Sequence, residues 1–126
     1  MSGLFDGVVE ALRQSSVFAV RRHELLAENV ANAETPNFKA RDLSFAGELD
    51  LAKLVQSTPD LKTPFGQSAL DLRMVNAPDG PAKLDGNDVD IDKQMVRVSQ
   101  NAIYHNVVVQ LLKAQFDGLK SAINGR

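Results

Sequence analysis

The fold is decided by the stretch DIDKQMVRVSQNAIYHNVVVQLLKAQFDGLKSAING, residues 90–125. Apolar residues recur in it at alternating steps of four and three, the period of a helix that packs along a coiled-coil seam. Asp88 or Asp90 can cap the start of this helix, and Gly125 can end it. We therefore predict one continuous helix, roughly 50 Å long. Its seam positions are Ile91, Met95, Val98, Ala102, His105, Val109, Leu112, Phe116, Leu119 and Ile123.

A second helix is predicted near the amino terminus, over residues 4–32. Pro36 ends the pattern, because the residue before a proline is pushed out of the helical region. The seam positions of this helix follow the same alternating steps: Phe5, Val9, Leu12, Ser16, Ala19, His23, Leu26, Val30 and Ala33.

Together the two seams predict an all-α-dominated fold, in which the long terminal helices pack as an antiparallel coiled-coil hairpin. If Phe5 lies level with Ile123, then His23 lies level with His105. The two imidazoles would then share one layer of a mostly apolar seam.

The segment between the helices is rich in proline and in Asp-Gly turn pairs. It predicts irregular structure with one short helix around residues 45–56 and one short strand around Leu70, Leu72 and Met74. We divide the single domain into an amino-terminal helix with its following loop (residues 1–42), an irregular middle segment (43–87) and a carboxy-terminal helix (88–126).

The carboxy-terminal helix has more apolar surface than one seam can cover. Val96, Ile103, Val107 and Leu111 form a second, outward stripe beside the seam. A helix that is apolar nearly all round is buried on more than one side, which indicates packing against other chains. The alternative is a three-helix bundle, in which the short middle helix covers this stripe.

Composition excludes several classes of protein. The chain has no cysteine, which excludes thiolate catalysis and zinc-cysteine sites. Its net charge is -2 with both signs interspersed, so it lacks the basic excess of a nucleic-acid-binding surface. No apolar run is long enough for a membrane span or a cleaved signal peptide. We expect no catalytic, metal or cofactor site. The two histidines have no ligand partners at suitable spacing, and the aspartates of residues 85–92 are better explained by helix capping than by calcium binding.

Two stretches resemble a known family. LAENVANAETPNFKARDLSF, residues 26–45, resembles the amino-terminal signature of flagellar rod and hook proteins, with Asn37 and Phe38 where glycine and tyrosine are usual. Asparagine tolerates positive φ, so the turn after Pro36 is expected to survive. LDGNDVDIDKQMVRVSQNAIYHNVVVQLLKAQFDGLKSAING, residues 84–125, resembles the carboxy-terminal pattern of proximal rod proteins.

The resemblance implies a structural subunit that polymerises helically in the periplasmic rod of the flagellar basal body and leaves the cell without a cleaved signal. It implies several partners: copies of itself, neighbouring rod proteins, an adaptor like FliE and the type III export gate. It also implies that a motif loop links the first helix to a neighbouring subunit, whereas capping of that helix is the simpler explanation. The loop residues are Asn29, Asn32, Thr35, Pro36 and Phe38. A soluble helical-hairpin adaptor or chaperone is the alternative function.

Overall fold

The computed structural model describes residues 2–45 and 72–125. Helix α1 spans Ser2–Ala31 and helix α2 spans Ile91–Ile123. Strands β1, Arg41–Phe45, and β2, Leu72–Asn76, form an antiparallel pair in which Leu43 lies opposite Met74. The helix-dominated fold is confirmed, and so is the predicted strand at Leu72 and Met74, whereas Leu70 lies outside the described residues. The predicted helix over residues 45–56 lies outside the described residues, apart from Phe45 at the end of β1.

The predicted start and end of α2 are confirmed. The Asp90 carboxylate accepts hydrogen bonds from the backbone N–H groups of Asp92 and Lys93, which would otherwise lack helical partners. At the other end, Gly125 adopts a φ of 70°, the left-handed conformation that closes many helices.

The two helices pack against each other in antiparallel directions. Hydrogen bonds between their described residues include Asn29 with Gln94, the Ala19 carbonyl with Asn101, and Ser16 with His105. As the position on α1 falls from 29 to 16, its partner on α2 rises from 94 to 105. Antiparallel packing therefore matches the sequence prediction.

The register of the helices differs from the predicted one. Ser16 Oγ lies 3.5 Å from His105 Nε2, so Ser16, and not His23, is level with His105. His23 is exposed one heptad further along α1, about 10 Å away along the axis. The predicted layer of two histidines is wrong.

The face of α2 that packs on α1 also differs from the predicted seam. Val98, His105 and Leu112 belong to both the predicted and the observed face. Between them the observed face has Gln94, Asn101, Val108 and Gln115, each one residue before the predicted seam residue. At 3.6 residues per turn, this rotates the packed face by about 50°. The buried and half-buried residues of α2 are Gln94, Arg97, Val98, Asn101, His105, Val108, Leu112 and Gln115.

Seven predicted seam residues of α2 are exposed, and their assignment to the buried face of the helix is wrong: Ile91, Met95, Ala102, Val109, Phe116, Leu119 and Ile123. The physical reason is that the prediction scored only apolar residues. Gln94 and Asn101 take the buried positions because each amide finds a hydrogen-bond partner there, which lowers the cost of burying it. On α1, Leu26 is fully buried, and Val9, Leu12 and Val30 are half-buried.

Candidate functional site

The loop after α1 closes onto the segment that precedes α2. The Asn87 side chain is fully buried, and its Nδ2 donates to the carbonyl oxygens of Asn32 and Thr35, both at 2.8 Å. Its Oδ1 accepts from the N–H of Val89. One amide therefore binds two carbonyls of the turns that follow α1, each of which also accepts a backbone hydrogen bond.

The motif loop is thus a connection within the chain. Asn32 and Thr35 hydrogen bond to each other, and Asn32 Nδ2 donates back to the Glu28 carbonyl, as capping of α1 predicts. Phe38 packs against a small buried cluster of Ala33, Ala40 and Val89. Pro36 is exposed at the tip of the loop.

Asn37 and Gly86 meet where the loop touches the segment before α2. Asn37 has a φ of 62°, so the positive φ that the sequence allowed is confirmed, and its N–H donates to the Asp85 carbonyl. Gly86 has a φ of 82°, and a Cβ added to it would lie 2.3 Å from Asn37 Oδ1. The φ favours glycine at position 86, and a Cβ there would also force the Asn37 side chain to move.

Asn29 joins the end of α1 to two other elements. Its Nδ2 donates to the Arg41 carbonyl at 2.7 Å and to Gln94 Oε1 at 3.1 Å, while its Oδ1 accepts from the Arg41 N–H. The residue is only 1% exposed. A buried amide that uses both donors and its acceptor fixes the relative positions of α1, β1 and α2.

Asp79, which forms an Asp-Gly turn pair with Gly80 in the sequence, continues this network. Its Oδ2 accepts from Gln94 Nε2 and from the Asp90 N–H, both at 2.8 Å, and its Oδ1 lies 3.0 Å from Arg97 Nη1. No local signal separates a buried turn aspartate from an exposed one, because the partners come from a different element.

An ion pair fixes β1 against α1. Arg22 on the helix pairs with Asp42 on the strand through two hydrogen bonds of 2.9 and 3.0 Å, and both side chains are largely shielded from solvent. Arg41 makes a more exposed pair with Glu28. Paired hydrogen bonds from one guanidinium to one carboxylate require a particular geometry. The Arg22–Asp42 pair therefore helps to orient β1 relative to α1.

The carboxylates before α2 are engaged by backbone groups. Asp85 accepts from the Asn87 N–H, and Asp88 accepts from the Ala40 N–H at 2.6 Å. Within residues 2–45 and 72–125, no three histidine or acidic side chains are grouped so as to hold a metal ion. The polar groups of this region therefore hold the loop after α1 against the segment before α2.

The outward face of α2 exposes a row of apolar side chains. Val96, Ile103 and Val107 are 57%, 65% and 49% exposed, and Leu111 is similarly exposed. The first three lie nearly opposite the face that packs on α1, at 100° per residue. From Val98 to Leu112 the helix carries no acidic residue, lysine or arginine. Charges resume on both sides of this span, at Arg97 and Lys113.

Neither described helix is both long and apolar enough to span a membrane, as judged over the described part of the chain. The outward stripe is a band along one face.

The chain is similar to several characterised bacterial proteins along nearly its whole length. It is 30% identical over 125 residues to the flagellar basal body rod protein FlgB of Bacillus subtilis (strain 168), covering 97% of both chains. It is 29% identical to the protein of the same name from Salmonella typhimurium, over 95% of both chains. The Cereibacter sphaeroides protein of that name is 33% identical, over 89% of this chain and 90% of its own length. No family model matches the sequence.

Proposed function

Since this chain belongs to the family of the flagellar basal body rod protein FlgB, we propose that it polymerises helically, through its two long helices, in the proximal part of the rod. The chain is a structural subunit of that rod. In this position the polymer transmits torque and lines the export channel. A soluble adaptor or chaperone is not favoured, because the relatives that cover nearly the whole chain are named as rod proteins.

The observation that supports polymerisation is the outward stripe of α2. Its central residues are about half exposed or more, and the span from Val98 to Leu112 is free of acidic residues, lysine and arginine over roughly 20 Å of helix. Interface cores are depleted in charge and rich in apolar side chains. Burial of this surface contributes about 25 cal/mol per Å², which accumulates when each subunit contacts several neighbours.

The charged residues at either end of this span help to align neighbouring subunits. Asp92, Lys93 and Arg97 lie before it, and Lys113, Asp117 and Lys120 lie after it. Both signs occur at each end, so a wrong axial offset places like charges together. Charges at the rim of an interface contribute more to register than to affinity.

The proposed partners are copies of this chain, neighbouring rod proteins, an adaptor like FliE and the type III export gate. The motif loop supplies a second contact. Its buried side is occupied by Asn87, while Glu34, Thr35 and Pro36 remain exposed. We place a neighbouring subunit against this exposed tip.

Isolated basal bodies provide the test. A strain that lacks its own copy of the gene is complemented with the wild-type chain, with Ile103→Glu and with Ile103→Leu. The leucine variant keeps the apolar contact and is expected to restore rods and swimming. The glutamate variant buries an unpaired carboxylate and is expected to leave rods incomplete.

Imaging must place density for the wild-type chain in the rod. Full swimming by Ile103→Glu would show that the outward stripe is not buried between subunits of the rod. Recovery of the wild-type chain only in soluble one-to-one complexes would instead support the adaptor function.

A further inference from the structure

Helix α2 ends in the dipeptide Asn124–Gly125. An asparagine that precedes a glycine can react with its own backbone, because the glycine nitrogen can approach the side-chain carbon Cγ of the asparagine. Glycine has no Cβ to obstruct this approach and adopts a wide range of backbone angles. Among all asparagines of the sequence, Asn124 alone is followed by glycine. The sequence therefore makes it the most reactive asparagine of the chain.

The structure leaves both reacting groups of this pair accessible. Asn124 is exposed, and within the described ranges no hydrogen bond involves its side-chain amide. The Gly125 N–H reaches the Ala122 carbonyl at 3.4 Å, beyond the usual length of such a bond. Gly125 has also left the helical conformation, with a φ of 70°. Among the described residues, the attacking nitrogen is therefore restrained by one long hydrogen bond.

The asparagines that hold the fold together are protected from the same reaction. Asn29, Asn87 and Asn101 are buried, and the side-chain nitrogen of each donates to a backbone carbonyl. Loss of that nitrogen as ammonia would break these hydrogen bonds. The residue after each of them also carries a Cβ, which obstructs the approach of its nitrogen.

Aspartate can form the same ring with a following glycine, and the structure restrains the four Asp-Gly pairs of the sequence. Asp79 is buried with its carboxylate hydrogen-bonded, and Asp85 accepts a hydrogen bond from the backbone of Asn87. Asp6 and Asp117 lie inside α1 and α2. There the N–H of the following glycine donates to the carbonyl four residues earlier. These pairs are expected to react more slowly than the end of α2.

We propose that Asn124 is a site of spontaneous deamidation. The Gly125 nitrogen loses its proton and forms a bond to Asn124 Cγ. The bond from Cγ to the side-chain nitrogen then breaks, and that nitrogen leaves as ammonia. Water opens the resulting succinimide at either carbonyl, which gives aspartate or isoaspartate. The overall change consumes one water molecule and releases one ammonia, with no oxidation or reduction.

Both products place a carboxylate at the C-terminal end of α2. One further carboxylate takes the formal net charge from -2 to -3. This end of a helix is the negative end of its dipole, so the new charge is unfavourable there. Isoaspartate also inserts an extra carbon into the backbone and displaces Gly125 from the position in which it ends the helix. Deamidation therefore loosens the last turn of α2.

The reaction needs no partner chain, so the proposal does not rest on the proposed function. Its test uses the purified full chain, incubated in warm, mildly alkaline buffer. Cleavage after Lys120 releases residues 121–126, a peptide whose one asparagine is Asn124. Liquid chromatography with mass spectrometry separates its asparagine, aspartate and isoaspartate forms. Asn124 is expected to react at least about tenfold faster than any other asparagine, because glycine leaves the nitrogen unobstructed.

Gly125→Ala is the matched variant, because it adds one methyl group to the residue that supplies the nitrogen. It should slow the reaction several-fold, and Asn124→Gln should abolish it. Both changes lie at an exposed helix end, and circular dichroism checks that the helices remain. Equal rates in the wild type and in Gly125→Ala would overturn the proposal. Formation of aspartate without isoaspartate would also overturn it, because no ring would then have formed.

Incubation in urea separates the effect of the structure from that of the sequence. Since the fold leaves Asn124 exposed, the folded chain should react at a rate within a few-fold of that of the unfolded chain. An Asn124 that reacts in urea and stays intact in the folded chain would show that the fold protects it, contrary to the proposal. Hydrogen exchange of Asn124→Asp tests the consequence, with faster exchange expected in the last turn of α2 than in the wild type. Unchanged exchange would refute the loosening of this turn.

Discussion

The side-chain amide of Asn29 donates a hydrogen bond to Gln94 Oε1 at 3.1 Å and so joins two helices whose contacting residues are 65 positions apart. Gln94 passes the connection on to Asp79 through its own amide. All three residues are buried. The end of α1, the approach to α2 and the first turn of α2 are thus held by one chain of hydrogen bonds.

Replacement of Asn29 by aspartate tests this connection. The side chain keeps its shape, but the donor to Gln94 and to the Arg41 carbonyl becomes an acceptor facing two acceptors. We expect the free energy of unfolding to fall by about 3 kcal/mol. Urea denaturation followed by circular dichroism measures it.

Asn32→Asp is the control for that change. Asn32 is only half-buried, and its amide donates to the nearby Glu28 carbonyl. Its replacement should cost no more than about 1 kcal/mol. Equal losses at positions 29 and 32 would contradict a special role for Asn29.

Asp79→Asn is expected to destabilise the chain by about 3 kcal/mol, because it leaves the guanidinium of Arg97 without its carboxylate in a shielded position. The double variant with Arg97→Met should be less destabilised than the sum of the single variants. A double-mutant cycle on urea midpoints measures this coupling. Additive losses would show that the 3.0 Å pair contributes nothing of its own.

Glycine-to-alanine exchanges at positions 86 and 118 should have opposite signs. Gly86→Ala forces a side chain onto Asn37 Oδ1 at a φ of 82° and is expected to destabilise the fold by about 2 kcal/mol. Gly118 lies within α2 with nothing close to an added Cβ, so Gly118→Ala should stabilise by about 0.5–1 kcal/mol. Thermal unfolding compares the two variants, and a shared sign would refute the geometry at Gly86.

Acid stability should show a small contribution from Glu10. The Arg13 guanidinium donates two hydrogen bonds to this carboxylate and holds the pKa of Glu10 below its usual value. A group whose pKa is lower in the folded state stabilises the fold above its unfolded pKa, and this contribution is lost as the pH falls through the folded value. The wild type should therefore lose stability relative to Glu10→Gln as the pH drops below about 4.5. Parallel urea midpoints at every pH would contradict this.

The sequence by itself determined three of the four described elements of the fold, whereas strand β1 was not predicted. The two helices, the cap at Asp90, the end at Gly125 and the strand around Met74 all depend on neighbours within a few residues. Backbone hydrogen bonds, proline and glycine act over that range, so local patterns contain the information. The antiparallel direction of the helices also matched the sequence prediction.

Only the tertiary structure decided which face of α2 packs on α1 and in which register. Because α2 is apolar on most of its circumference, its period allows several packed faces that differ little in burial. The choice depends on single hydrogen bonds between elements, which Asn29 and Asn101 donate and Asp79 accepts. Such bonds form only when distant segments meet with a particular geometry. The spacing of apolar residues along the chain therefore does not predict them.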